Sequence, residues 1–132
     1  PVTSANDALK VVKPGDYLAI QAYVKADSRH YANLQEARIA LRDELGVATT
    51  LGLGPRYLHS TGQLHKGGHN NGVFIQVVDD LKPDVDIPGR DYSFRQVFEA
   101  QAAGDYQALQ EHHRRVYRVK LEDFLATAGV NH

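Results

Sequence analysis

The pattern of apolar and polar positions divides the chain into alternating strand-like and helix-like stretches. "GDYLAIQAYV" (Gly15 to Val24) is a compact apolar run rich in aromatic and branched residues and bounded by Pro14-Gly15, which predicts a buried strand. From Tyr31 to Leu45 the spacing changes. Leu34, Ala37, Leu41 and Leu45 recur at helical intervals with charges between them, so this segment reads as an amphipathic helix stopped by Gly46. "VATTLGL" (Val47 to Leu53) reads as a second strand, followed by a helical turn or two around Tyr57 to Leu64. "GVFIQVV" (Gly72 to Val78), apolar apart from Gln76, reads as a third.

Pro83 to Arg90 is a turn-rich connector. Ser93 then offers an N-cap for a helix through Ala103, Gly104-Asp105 is expected to break it, and a further helix is expected to about His113. "VYRVKL" (Val116 to Leu121) alternates apolar and charged residues as an edge strand does, and a short turn from Glu122 to Ala128 closes the pattern. Strands alternating with helices predict an α/β fold, a layered sandwich whose mostly parallel sheet is flanked by helices.

Composition adds bounds. At 132 residues and 42% hydrophobic, residues 1–132 suit a single domain with its own core. A net charge of −1, from 15 basic and 16 acidic residues, lacks the electrostatic footprint of a nucleic-acid binder. The absence of cysteine excludes disulfides, thiol catalysis and cysteine zinc sites, and is compatible with a cytoplasmic chain. No apolar run approaches the roughly 20 residues that span a bilayer, so no membrane partner is expected. Starting at Pro1 with no methionine, the sequence fits either removal of the initiator or a segment cut from a longer polypeptide, and the segment is the reading favoured.

Candidate chemistry concentrates between Leu51 and Val77, in "LGLGPRYLHSTGQLHKGGHNNGVFIQV". In an open parallel sheet, ligands bind outside the carboxyl ends of the strands, and "VATTLGL" would deliver this stretch there. A metal is one reading, through His59, His65 and His69. On a helix, however, His59 and His65 would lie about 240° apart at about 100° per residue, and the stretch contains no carboxylate. Phosphate binding is a second, since Arg56, Ser60, Thr61, Lys66 and Gly67-Gly68 offer charge, hydroxyls and close backbone approach, without the spacing of a P-loop. Acid/base catalysis by His59 is a third, because an imidazole among polar neighbours titrates near neutrality. The residues alone leave all three open beside a structural role for each.

A resemblance narrows them. "TTLGLGPRYLHSTGQLHKGG" (Thr49 to Gly68) closely resembles the isomerase portion of bifunctional transaldolase/glucose-6-phosphate isomerases, where "LHSTGQ" follows a short strand and precedes "HKGG" and an apolar strand. Separate bacterial glucose-6-phosphate isomerases carry a similar "LHS-x-GQ". The resemblance extends weakly over the first strand, the helix after it, the "IPG…YSF" connector and "AGD".

It implies a doubly wound sugar-isomerase (SIS) fold and the interconversion of glucose 6-phosphate and fructose 6-phosphate by ring opening and an enediol. It maps the ring-opening acid/base onto His59, places Ser60 and Gln63 against sugar hydroxyls, and makes Arg56 and Lys66 charge partners of the substrate. No metal or other cofactor is implied. The expected partners are a sugar phosphate and upstream domains of the same polypeptide, with room for a homo-oligomer.

The sequence also departs from the family. The carboxylate base normally precedes this strand on a glycine-containing loop, but here "LRDELG" runs straight into it, and Glu44 is a candidate by position only. The late lysine has no counterpart in "SFRQVFEAQAAGD", and the phosphate-binding loops would lie upstream of the chain. The expectation is therefore a C-terminal sugar-isomerase subdomain holding the histidine half of an active site. The alternative is a phosphosugar-binding or sensing module that is not an enzyme.

Overall fold

The computed structural model describes residues 2–24, 28–53, 71–79, 89, 94–111 and 115–130. Within them the elements run α1 (Ala5–Leu9), β1 (Tyr17–Tyr23), α2 (Ser28–Leu45), β2 (Ala48–Leu53), β3 (Gly72–Val78), α3 (Phe94–Glu111), β4 (Arg115–Lys120) and α4 (Leu121–Thr127). The four strands form one sheet in the order β2-β1-β3-β4, and every pairing is parallel.

That order follows from how the chain leaves β1. The connection through α2 carries it to one side as β2, and the chain then returns past β1 to add β3 and, through α3, β4. Strand residues alternate between the two faces of the sheet, so each face has its own set. Leu18, Ile20, Ala22, Val73, Ile75, Val77 and Val119 pack against Leu34, Ala37 and Leu41 of α2, Ala5, Ala8 and Leu9 of α1, and Phe124 and Leu125 of α4. On the other face Ala19, Phe74 and Val116 meet Leu109 of α3, with Tyr17 and Tyr106 beside them. Helices on both faces explain why β1 and β3 read as nearly continuous apolar runs rather than alternating ones. The fold is a layered, doubly wound α/β sandwich.

β3 occupies the span expected from its sequence, and α2 ends where Gly46 adopts a left-handed φ of 66°. Two expectations are corrected. Gly104-Asp105 does not break the helix: α3 is continuous from Phe94 to Glu111. Ala102, Asp105, Tyr106 and Leu109 fall at helical intervals facing the sheet, and their contacts outweigh the cost of about 1 kcal/mol for a helical glycine. The closing segment is a two-turn helix, α4, rather than a turn.

α1 is an additional element, capped where Ser4 Oγ accepts from the Asp7 N–H at 3.2 Å. The chain just before it covers the outer edge of β4, with Thr3 N–H donating to Arg118 O at 2.8 Å. Ser93, the residues around Tyr57 to Leu64, and Pro83 to Arg90 apart from Gly89 lie outside the described residues.

Candidate functional site

All four strands point the same way, so their carboxyl ends share one edge of the sheet: Leu53, Tyr23, Val78 and Lys120 in order across it. Successive connections diverge on either side of β1, and the reversal of strand order falls between β1 and β3. In doubly wound sheets such a reversal opens a crevice for ligands. Leu53 is the last residue of β2, beside β1, and the sequence that follows it carries Arg56, His59, Ser60, Gln63 and Lys66. These five, with Thr61, His65 and His69, lie outside the described residues.

Several groups at this edge carry no motif that marks them in the sequence. Asp79 follows β3 directly, and His30 occupies the first turn of α2, where the chain re-enters regular structure after β1; both are half-buried. The buried Tyr23 closes β1 and donates its hydroxyl to Asp105 Oδ2 of α3 at 2.5 Å. Glu44 is elsewhere. As the penultimate residue of α2 it lies where β2 begins, at the amino ends of the strands, exposed beside Asn6, Lys10 and Thr127. The one carboxylate suggested by position is thus at the edge opposite the one from which the His59 stretch departs.

Below the carboxyl edge, on the α3 face, the sheet interior holds a polar rung. Gln21 of β1, Gln76 of β3 and Arg118 of β4 are aligned by the strand register, with Gly52 of β2 next to Gln21. Gln21 is 2% and Gln76 0% exposed. Gln76 Nε2 donates to Ala102 O at 3.0 Å, and the Arg118 guanidinium lies 5.6 Å from the centroid of the Tyr106 ring. The signal for this rung is present in "AIQAY" and "FIQVV", each with one glutamine inside an otherwise apolar run.

The amino edge is held by a different set. Arg115 makes two bonds of 3.0 Å to the carboxylate of Asp16, which also accepts from the Lys13 N–H at 2.8 Å. The Arg115 bond holds the Asp16 carboxyl below its ordinary range against the opposing effect of burial, and Asp16 in turn raises Arg115. Asn71 Nδ2 donates to Gly15 O and Tyr17 N–H to Asn71 O, fastening the start of β3 to that of β1. These contacts fasten the amino edge of the sheet. Among the described residues no three His, Cys, Asp or Glu side chains are grouped to hold a metal. Nor is any described helix long and apolar enough to cross a membrane.

No family model matches the chain, and no curated protein matches it. Among solved structures it is similar to the crystal structure of a hypothetical protein, TT0462, from Thermus thermophilus, with a TM-score of 0.67 and 19% identity. The likeness is one of fold. It covers 91% of this chain and 36% of that one, so the chain spans little more than a third of its neighbour.

Proposed function

We propose that the chain is the C-terminal sugar-isomerase part of a glucose-6-phosphate isomerase, within a bifunctional transaldolase/isomerase. The observation that carries the reading is the course of β2. It ends at the carboxyl edge of an all-parallel sheet, beside the β1/β3 reversal, and "LHSTGQ" follows it within a few residues.

In this reading His59 gives a proton to the ring oxygen of glucose 6-phosphate as the anomeric hydroxyl loses its own. The bond between C1 and the ring oxygen breaks, leaving the open-chain aldehyde. A carboxylate then takes the C2 proton and returns it to C1 through the enediol, while the O2 proton passes to O1, giving fructose 6-phosphate. Ser60 and Gln63 hold sugar hydroxyls, and Arg56 and Lys66 balance the charge of the substrate. Glu44, at the opposite edge, is not assigned the carboxylate role. That base and the phosphate-binding loops are assigned to upstream parts of the polypeptide.

The test is conversion of fructose 6-phosphate by the full polypeptide and by residues 1–132 alone. Turnover in the first and none in the second is the expected result. Binding of the sugar phosphate without turnover in the full polypeptide, seen by calorimetry, would instead favour a sensing module, a reading kept open by the position of Glu44.

A further inference from the structure

The polar rung inside the sheet has hydrogen-bonding capacity that its neighbours do not use. Gln21 and Gln76 are partners in the β1–β3 register, and Gln76 and Arg118 in the β3–β4 register. The Gln76 amide nitrogen is engaged by Ala102 O, which leaves its oxygen to accept from another group. Neither Gln21 Oε1 nor Gln76 Oε1 meets a donor among the described residues, and Arg118 Nε meets no acceptor there. All three atoms are buried. A buried polar atom left without a partner is costly and rare in folded proteins, so three on one rung call for a partner.

The chemistry of the rung limits what that partner is. It offers two acceptors and one donor. Exposures of 2% and 0% close the two glutamines to solvent, which favours a small partner over a sugar or a nucleotide. Gly52, the β2 residue in register with Gln21, adds no side chain to fill the row. A water molecule has two hydrogens to donate and lone pairs to accept with, and in buried sites it is held by two to four such partners. Adjacent strands stand about 4.8 Å apart, so side chains in register on one face are near enough to share a water between them.

We propose that the Gln21–Gln76–Arg118 rung is a buried hydration site, in which water donates to both glutamine oxygens and accepts from Arg118 Nε directly or through a second water. The water ties β1, β3 and β4 together beneath the reversal of strand order, and Gln76 connects the same network to α3. This inference does not depend on the isomerase reading.

A high-resolution crystal structure of the wild-type protein tests it without any variant. An ordered water within about 3.2 Å of both Gln21 Oε1 and Gln76 Oε1 is expected. A dry rung, or glutamine oxygens paired with protein groups, would overturn it. Unfolding of Gln21→Leu, Gln76→Leu and the double variant gives a second measurement. Each single change breaks the bridge and is expected to lower the folding constant about 10-fold. The double variant, which removes both stranded acceptors together, still lacks the Gln76–Ala102 bond but is expected to lose less than the product of the two; losses that simply multiply would count against the site.

Discussion

Asp16 and Arg115 are joined by two parallel hydrogen bonds of 3.0 Å, linking the turn before β1 to the first residue of β4 across the intervening β3. The pair is mostly covered, at 13% and 27% side-chain exposure, so solvent screens it less than an ordinary surface ion pair. Because the folded protein holds the Asp16 carboxyl below its ordinary value, its contribution to stability is complete above about pH 4 and declines as pH falls through the lowered value. Asp16→Asn is expected to lower stability at pH 7 by about 1.5 kcal/mol. In urea titrations across pH, the gap between wild type and variant should narrow only in acid. A gap that stays constant with pH would show that the carboxylate charge is not what matters.

Gly72 is fixed by contact rather than by backbone angle. A Cβ there would stand 2.5 Å from Cζ and 2.6 Å from Oη of Tyr17, whose ring meets Phe74 edge-on at 6.0 Å. Gly72→Ala is therefore expected to displace the Tyr17 ring and lower stability by about 1 kcal/mol. With Tyr17→Leu already in place the same change should cost little. Equal costs in both backgrounds would contradict the contact.

Gly104 gives the opposite sign. It sits exposed inside the continuous helix α3, and a methyl group added there would meet nothing within 4 Å. Gly104→Ala is expected to raise stability by about 0.5–1 kcal/mol in thermal unfolding, because alanine suits a helix interior better than glycine. A loss would indicate that the chain needs a break at this point.

Tyr23 and Asp105 account for part of that continuity. Tyr23→Phe removes the hydroxyl that reaches α3 and is expected to cost about 1 kcal/mol, with most of the loss absent when Asp105→Asn is already present. Independent losses would mean that the two side chains act apart.

These residues also show what is legible in the sequence. β1, α2, β2 and β3 announce themselves through apolar runs, helical spacing and Gly46, and burial reinforces the signal in β1 and β3, whereas β2 is only partly covered. Gly104-Asp105 misleads because a local breaker signal is weaker than the packing of Ala102, Tyr106 and Leu109 and the long-range bond to Tyr23. α1 carries a faint signal, since Ser4 and Asp7 have the spacing of a cap, but five residues hold too little periodicity to stand out. The amino-edge pair and the polar rung depend on register between strands far apart in sequence, which spacing along the chain does not encode. His59 and its neighbours stand out by chemistry and resemblance, while the position of Glu44 needs the fold.

The proposed isomerase activity rests on His59 exchanging the proton that opens the sugar ring. The most direct measurement is the pH dependence of kcat and KM for fructose 6-phosphate in the full polypeptide, with wild-type His59 and with His59→Ala. His59→Ala is expected to keep its fold and sugar-phosphate binding but to lose about 10²–10⁴-fold in kcat, the range for removal of a general acid/base, together with the limb of the pH profile due to an imidazole. An unchanged kcat and pH profile in His59→Ala, or a wild-type polypeptide with no isomerase activity at all, would contradict it.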